Sequence, residues 1–228
     1  MGIRFTSNLH YWNKKSILLT YYIDVIKKVI MKKTIKIYYL LLGLFIIGVS
    51  ASLLRETGLG VDPFTALSIG LATKLNIPLS ITQFLINLIV FLYMLFSDRN
   101  RIGIGTVLNM TLVGVFIQIS SQILLSYHLS QLEIFPKIVI LLVGLLLFTL
   151  GSAIYMSVNM GQSPYDAVAP ILSKQTNLKY SDVRSFQDII VVILAFIVHG
   201  PIGLGTIVIA LEAGSLISKW NSIIPKIE

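Results

Sequence analysis

"GLGVDPFTA" occupies residues 58–66 and "NMGQSPYDA" occupies residues 159–167, each directly after a long apolar run. Gly60 and Gly161, Asp62 and Ser163, Pro63 and Pro164, and Ala66 and Ala167 are all 101 residues apart. Asp and Ser are strong helix N-caps, and Pro is favoured at the first helical position, where an N–H has no partner in any case. The glycine ahead of them lets the chain turn sharply. Each stretch therefore reads as a turn that starts a helix. The helices so started, at about 63–73 and 164–173, cover only ~16 Å each, about half of a bilayer's hydrocarbon core.

Outward from these turns the same offset pairs Gly43 with Gly144, Asn76 with Asn177 and Ser80 with Ser181. Further on it becomes 100: "IGIGT" at 102–106 matches "IGLGT" at 202–206, and Gly114 matches Gly214. The chain is a tandem duplication. Runs long enough to span a membrane lie at about 37–55, 80–97, 103–126, 137–157, 183–199 and 202–218. Each half, 36–127 and 136–220, thus reads as span, half-helix, span, span.

Composition sets the class. The 228 residues are 55% hydrophobic and 12% charged, about half the charged fraction of a soluble domain, and the mean hydropathy is +0.85. The pattern predicts an all-α polytopic membrane protein. The net charge is +8, but residues 1–36 hold eight basic residues against Asp24 alone. The basic excess belongs to one membrane flank, so no nucleic-acid partner is expected. There is no cysteine, which excludes disulfides and thiolate sites.

Charge also predicts topology. If the two short helices span, the halves are parallel repeats and Arg99 and Arg101 lie outside. If they are re-entrant, the halves are inverted repeats of three crossings each. The amino terminus, Arg99, Arg101, Lys174, Lys179, Lys219 and Lys226 then share the cytoplasmic side, and only Arg55, Lys74 and Lys137 lie outside. The positive-inside rule favours the inverted arrangement, with both termini cytoplasmic. Inverted repeats are frequent in secondary transporters, whose sites lie at the repeat interface.

The amino-terminal segment, 1–35, carries competing signals. "MGIRFT" matches a myristoylation pattern. "MKKTIKIYYLLLGLFIIGVSA" from Met31 has the form of a signal peptide, but its counterpart at 137–157 could not act as one, so it is read as an uncleaved first span. Ser16, Thr20, Asp24, Lys27 and Lys28 form a polar stripe on an interfacial amphipathic helix. The alternative is that translation starts at Met31.

The paired G-x-x-P-[aromatic]-[D/T]-A segments, Gly60–Ala66 and Gly161–Ala167, together with the "GIGT" and "GLGT" span starts, resemble the YczE/YitT-type family of bacterial integral membrane proteins. The resemblance covers roughly residues 36–220. It implies a multi-pass protein of the bacterial cytoplasmic membrane, and transport or export has been suggested for relatives.

Polar groups inside spans locate a candidate site. Gln83 and Asn87, and their counterparts Arg184 and Asp188, are i, i+4 pairs on single helix faces. Arg184 and Asp188 are expected to form an ion pair. Arg184 is a candidate for gripping an anionic group, with Asp188 orienting it. Asp188 is also a candidate proton or cation carrier, and a purely structural pair is the alternative. Glu212, mid-span with Leu112 as counterpart, is a second proton-coupling candidate; packing against a neighbouring helix is the alternative. Asn109, Gln118 and Ser215 are candidates for the same path.

The two half-helix starts favour an anion or hydrogen-bond acceptor through their free N–H groups. The expected substrate-binding set is Asp62, Pro63, Ser163, Pro164, Tyr165, Asp166, Gln83, Asn87, Arg184 and Asp188. No enzyme constellation, cofactor motif or metal cluster is present, and His10, His128 and His199 are scattered. The expected function is a small secondary transporter or facilitator of a small polar, zwitterionic or anionic solute. A non-transporting accessory subunit is the alternative, and a homodimer or a partner membrane protein is left open.

Overall fold

The computed structural model describes the backbone of residues 4–226 and the side chains of residues 31–226. The amphipathic stripe and the myristoylation pattern, which rest on side chains before residue 31, lie outside these. The chain divides into two units, Met1–Tyr38 and Tyr39–Glu228, and the second holds every helix after the first. Among the described residues eight α-helices follow one another: α1 Arg4–Thr57, α2 Pro63–Leu75, α3 Leu79–Ser97, α4 Ile104–Leu125, α5 Ile134–Ser157, α6 Pro164–Thr176, α7 Tyr180–Ile197 and α8 Leu204–Ile223. No strand occurs among the described residues.

Among the described residues four segments are long and apolar enough to cross a membrane: Met31–Thr57 of α1, then α3, α4 and α5. The protein is a membrane protein. α7 is more polar, with Asp182, Arg184 and Asp188 in its first half, and α8 carries Glu212 and Lys219. The short helices α2 and α6 are 13 residues each and begin where the paired motifs place them. The Asp62 carboxylate accepts from the Thr65 N–H at 3.0 Å, and the Ser163 hydroxyl accepts from the Asp166 N–H at 3.0 Å. Both helices end on an asparagine in the left-handed conformation, Asn76 and Asn177, a common way for a helix to close.

The turns ahead of α2 and α6 are held from the other half of the chain. The Gly105 N–H, at the start of α4, donates to the Met160 carbonyl at 2.8 Å. The Gly205 N–H, at the start of α8, donates to the Leu59 carbonyl at 2.8 Å. Thr106 and Thr206 tie the two glycine-rich starts, their hydroxyls accepting from Gly103 and Gly203 N–H at 3.1 and 3.3 Å.

α1 and α5 meet in the same reciprocal way. A side chain on Gly43 would come within 2.7 Å of the Tyr155 backbone nitrogen, and one on Gly144 within 2.8 Å of Leu54. Residue numbers therefore run in opposite directions along the contact, and the two helices pack antiparallel. Leu54 accordingly clusters with Leu141 and Leu145, and Tyr155 with Leu40 and Leu44.

Gly60 and Gly161 adopt φ of 108° and 107°, a region that side chains rarely enter, and a Cβ there would sit 2.7 Å from the Gly203 nitrogen or 2.6 Å from the Gly103 nitrogen. Gly58 has φ 73° with nothing within 4 Å of such a Cβ. Gly60→Ala and Gly161→Ala should thus combine backbone strain with overpacking, a loss of about 2–4 kcal/mol each. Gly58→Ala should show the strain alone, about 1 kcal/mol. Thermal unfolding of the three variants in detergent checks the ranking.

Candidate functional site

A cavity lies among α1 to α7, with a volume of about 50 Å³ open to the centre of a water molecule. Its lining has a pattern. Ile47 and Phe148, Ala51 and Ser152, Asp62 and Ser163, Phe64 and Tyr165, Thr65 and Asp166, and Gln83 and Arg184 all line it. Each of these six pairs is 101 residues apart. The two copies of the duplicated sequence thus face each other across one space. Asn87, Asn109, Met110, Val113 and Ile117 complete the wall.

The polar side comes from α2, α3, α6 and α7. The N-cap requirement places Asp62 and Ser163 at the mouths of α2 and α6, and α-helical spacing puts Gln83 and Asn87 on one face of α3. On the second half's side the charged groups form a closed network, although Gln187 Oε1 and the Tyr180 hydroxyl near it have no partner. Arg184 Nη1 donates to Asp166 Oδ1 at 2.8 Å, and Arg184 Nε donates to Asp188 Oδ2 at 3.1 Å. Tyr155 donates to Asp166, and Tyr165 donates to Asp188. The Ser163 hydroxyl donates to Asp166 Oδ2 at 2.7 Å. The guanidinium also stacks over the Tyr165 ring, 4.9 Å from its centroid. Gln187 fixes the start of α6, its amide donating to the Tyr165 carbonyl at 2.9 Å.

The first half's side is open. Asp62 Oδ2, Gln83 Nε2 and Asn87 Oδ1 are buried with no hydrogen-bond partner. The remaining wall, from α1, α4 and α5, is apolar except for Ser152 and Asn109.

Each sequence-predicted residue can now be placed. Asp62, Gln83, Asn87, Ser163, Tyr165, Asp166 and Arg184 share the cavity. Pro63 and Pro164 do not line it; they occupy the first helical positions of α2 and α6. Asp188 is fully buried behind Arg184, off the lining. Arg184 pairs with Asp188, and Asp166 holds it equally, so two of its donors are engaged within the protein. Glu212 lies elsewhere: it is exposed on α8 beside Leu211. Asn109 lines the cavity, whereas Gln118 and Ser215 do not. Tyr155 and Gln187 carry the network without having been singled out in the sequence. For Tyr155 the signal was its position, opposite Leu54 in the duplication; for Gln187 it was the polar spacing that α7 shares with Arg184.

The family model described as a family of unknown function, DUF6198, matches residues 34–222. The chain belongs to that family. An uncharacterized protein of Haemophilus influenzae is 33% identical over 195 residues, covering 86% of each chain. The uncharacterized protein YyaS of Bacillus subtilis is 29% identical over 199 residues, 84% of this chain and 94% of its own. The uncharacterized membrane protein YczE of Bacillus subtilis is 28% identical over 178 residues, 77% of this chain and 80% of its own. The YczE-type resemblance carried by the motifs therefore extends to whole-chain similarity. No solved structure matches.

Within this DUF6198 member the duplication supplies its own control. The first half carries Thr65, Gln83 and Asn87 where the second carries Asp166, Arg184 and Asp188. Arg184→Ala strands two carboxylates and should cost about 3–5 kcal/mol. The triple replacement Asp166→Thr, Arg184→Gln, Asp188→Asn installs the first half's neutral set and should recover at least half of that loss. Comparison of the two unfolding midpoints checks this.

Proposed function

We propose that the protein is a small secondary transporter or facilitator of a small polar solute, with its site in the cavity between the two half-helix starts. One observation carries the reading: both members of six duplicated residue pairs line a single cavity. Equivalent residues facing each other is what a two-fold axis between the halves produces, and transporter sites lie at such interfaces. The reciprocal backbone bonds are the self-complementary contacts of a two-fold relation.

In this reading α1, α3, α4, α5, α7 and α8 cross the membrane, and α2 and α6 are re-entrant. The halves are inverted repeats with both termini on the cytoplasmic side of a bacterial inner membrane. The antiparallel packing of α1 and α5 supports inversion, since parallel repeats would align their first helices. α7 supports its own place as a span: it buries Arg184, Gln187 and Asp188 and exposes Phe186, Ile189, Ile190, Ile193, Phe196 and Ile197. Transport follows by rocking one repeat against the other around the cavity.

The alternative, an accessory subunit of a membrane assembly, is favoured by Glu212. Its carboxylate sits on a face with exposed Leu204, Ile207 and Leu211, and a carboxylate facing lipid is costly. A partner helix would relieve that cost.

The absence of native cysteine makes topology measurable without background. Single cysteines at the exposed positions Arg99, Tyr127, Lys179 and His199, probed with a membrane-impermeant thiol reagent, decide it. Inversion expects Tyr127→Cys and His199→Cys to react from outside, and Arg99→Cys and Lys179→Cys only after permeabilisation. Labelling of Arg99→Cys from outside, with Tyr127→Cys protected, would refute it. Function is tested by solute-dependent thermal shifts followed by flux of the stabilising solute in proteoliposomes. No shift from amines, amino acids, organic acids or phosphates would favour the accessory reading.

A further inference from the structure

The cavity's two polar walls are not alike, and the difference points to the charge of what binds there. Two carboxylates, Asp62 and Asp166, and one guanidinium, Arg184, line it, with Asp188 buried behind Arg184. The single guanidinium is held between Asp166 and Asp188. Asp62 has no cation. Its Oδ1 caps α2 by accepting from the Thr65 N–H, while its Oδ2 is buried and unpartnered. Asn87 Oδ1 is a second buried acceptor without a donor, on the same cavity. All three residues with unmatched atoms on the lining, Asp62, Gln83 and Asn87, are at most 4% exposed.

Buried polar atoms in native proteins nearly always have partners, so unmatched atoms around a cavity describe the complement of a ligand. Here the complement has a donor-rich, positively charged head for Asp62 Oδ2 and Asn87 Oδ1. The apolar part of the lining, Met110, Val113 and Ile117 of α4 with Phe148 of α5, suits a short hydrocarbon. The volume allows on the order of three or four heavy atoms.

We infer that the cavity binds a small primary ammonium ion, its charged head at Asp62 and Asn87 and its alkyl part against α4. The inference rests on the cavity being a solute site. It assigns no anion-gripping role to Arg184, whose Nε and Nη1 already face carboxylates. Gln83 Nε2, the unmatched donor, would recognise an acceptor on a solute that carries one.

The test uses the purified full chain in detergent, titrated calorimetrically with methylammonium and ethylammonium chloride. Ethanol, sodium acetate, sodium chloride and potassium chloride serve as comparators. The expected result is saturable binding of the ammonium ions and none of the comparators. Asp62→Asn should weaken ammonium binding at least about tenfold, the loss of a charge-assisted hydrogen bond. Asn is an equally good N-cap, so α2 keeps its start. Should that variant fail to fold, Asn87→Leu must produce the weakening instead. Binding of acetate in place of ammonium would overturn the inference. So would equal binding of sodium or potassium, no ammonium binding at all, or ammonium binding unchanged in the folded variant. Flux in proteoliposomes separates this outcome from the transport reading. Ammonium that binds without crossing leaves the site intact and removes transport. An anion that crosses through the cavity does the reverse.

Discussion

Two backbone hydrogen bonds, Gly105 to Met160 and Gly205 to Leu59, carry a constraint on which the rest of the structure depends. A helix that ends and restarts inside an apolar body leaves N–H and C=O groups that neither the helix nor water can satisfy, at several kcal/mol each. The turns at 58–62 and 159–163 interrupt the chain between α1 and α2 and between α5 and α6, and the Leu59 and Met160 carbonyls there take their donors from the starts of α8 and α4. The chain draws the missing donors from the first turn of another helix, where N–H groups are spare. Because the donor for each turn belongs to the other half, neither half can complete its own broken helix. This gives a physical reason for the glycine, cap and proline to stand in both copies. The turn, the cap and the glycine-rich helix start form one interlocked unit, present twice.

On that shared backbone the two halves differ in their side chains. The second half concentrates its charges and satisfies them internally: Arg184 between two aspartates, each aspartate also receiving a tyrosine hydroxyl. Such a network costs desolvation for every ion and is retained only with good geometry and full partnering. The first half keeps neutral Thr65, Gln83 and Asn87 at the matching places and brings one charge to the cavity, Asp62, at the cap position. One half therefore fixes the geometry of α6 and α7 against the cavity. The other leaves polar atoms turned toward it. A closed network beside an open one is the division of tasks that a duplicated frame permits, since each copy can specialise without altering the contacts that hold both.

Much of this was legible in local sequence. N-capping and proline position α2 at Pro63 and α6 at Pro164, and both rules act within a single turn of helix. The i, i+4 spacing of Arg184 and Asp188 predicted their ion pair for the same reason. Asp166 as the second partner of Arg184 was not legible, because it depends on how α6 leans on α7. Tyr155 was hidden similarly: its hydroxyl reaches Asp166 only because the turn between α5 and α6 folds the start of α6 back beside it. Glu212 shows the opposite hazard. A carboxylate in an apolar span suggests an inward group, yet the rotation of α8 is set by its small residues. Gly214 lies against Ser181 and Arg184, Ile209, Ala213 and Ile217 form the buried stripe, and Glu212 falls on the other side. Close backbone approach fixes which face of a helix turns inward, and the preference of one charge does not outweigh it.

The same small residues explain why the cavity leans to one side. α4 lines it with Asn109, Met110, Val113 and Ile117, but the matching residues of α8 are absent from the lining. Two of them, Ile209 and Ala213, pack instead with Leu54 and Val61. The halves share a backbone plan yet occupy different positions about the cavity, one helix standing at its edge and its counterpart withdrawn into the core. In the transport reading that inequality is the mechanism in static form. If the halves exchange these positions, α8 comes to the edge and α4 withdraws without any new fold. The reciprocal turn contacts survive such an exchange, because each half already holds the other by the same atoms. What must change is the packing around Met110 and Val113 on one side and Ala210 and Ala213 on the other. The larger pair lines the cavity in this structure, while the smaller pair is buried in the core.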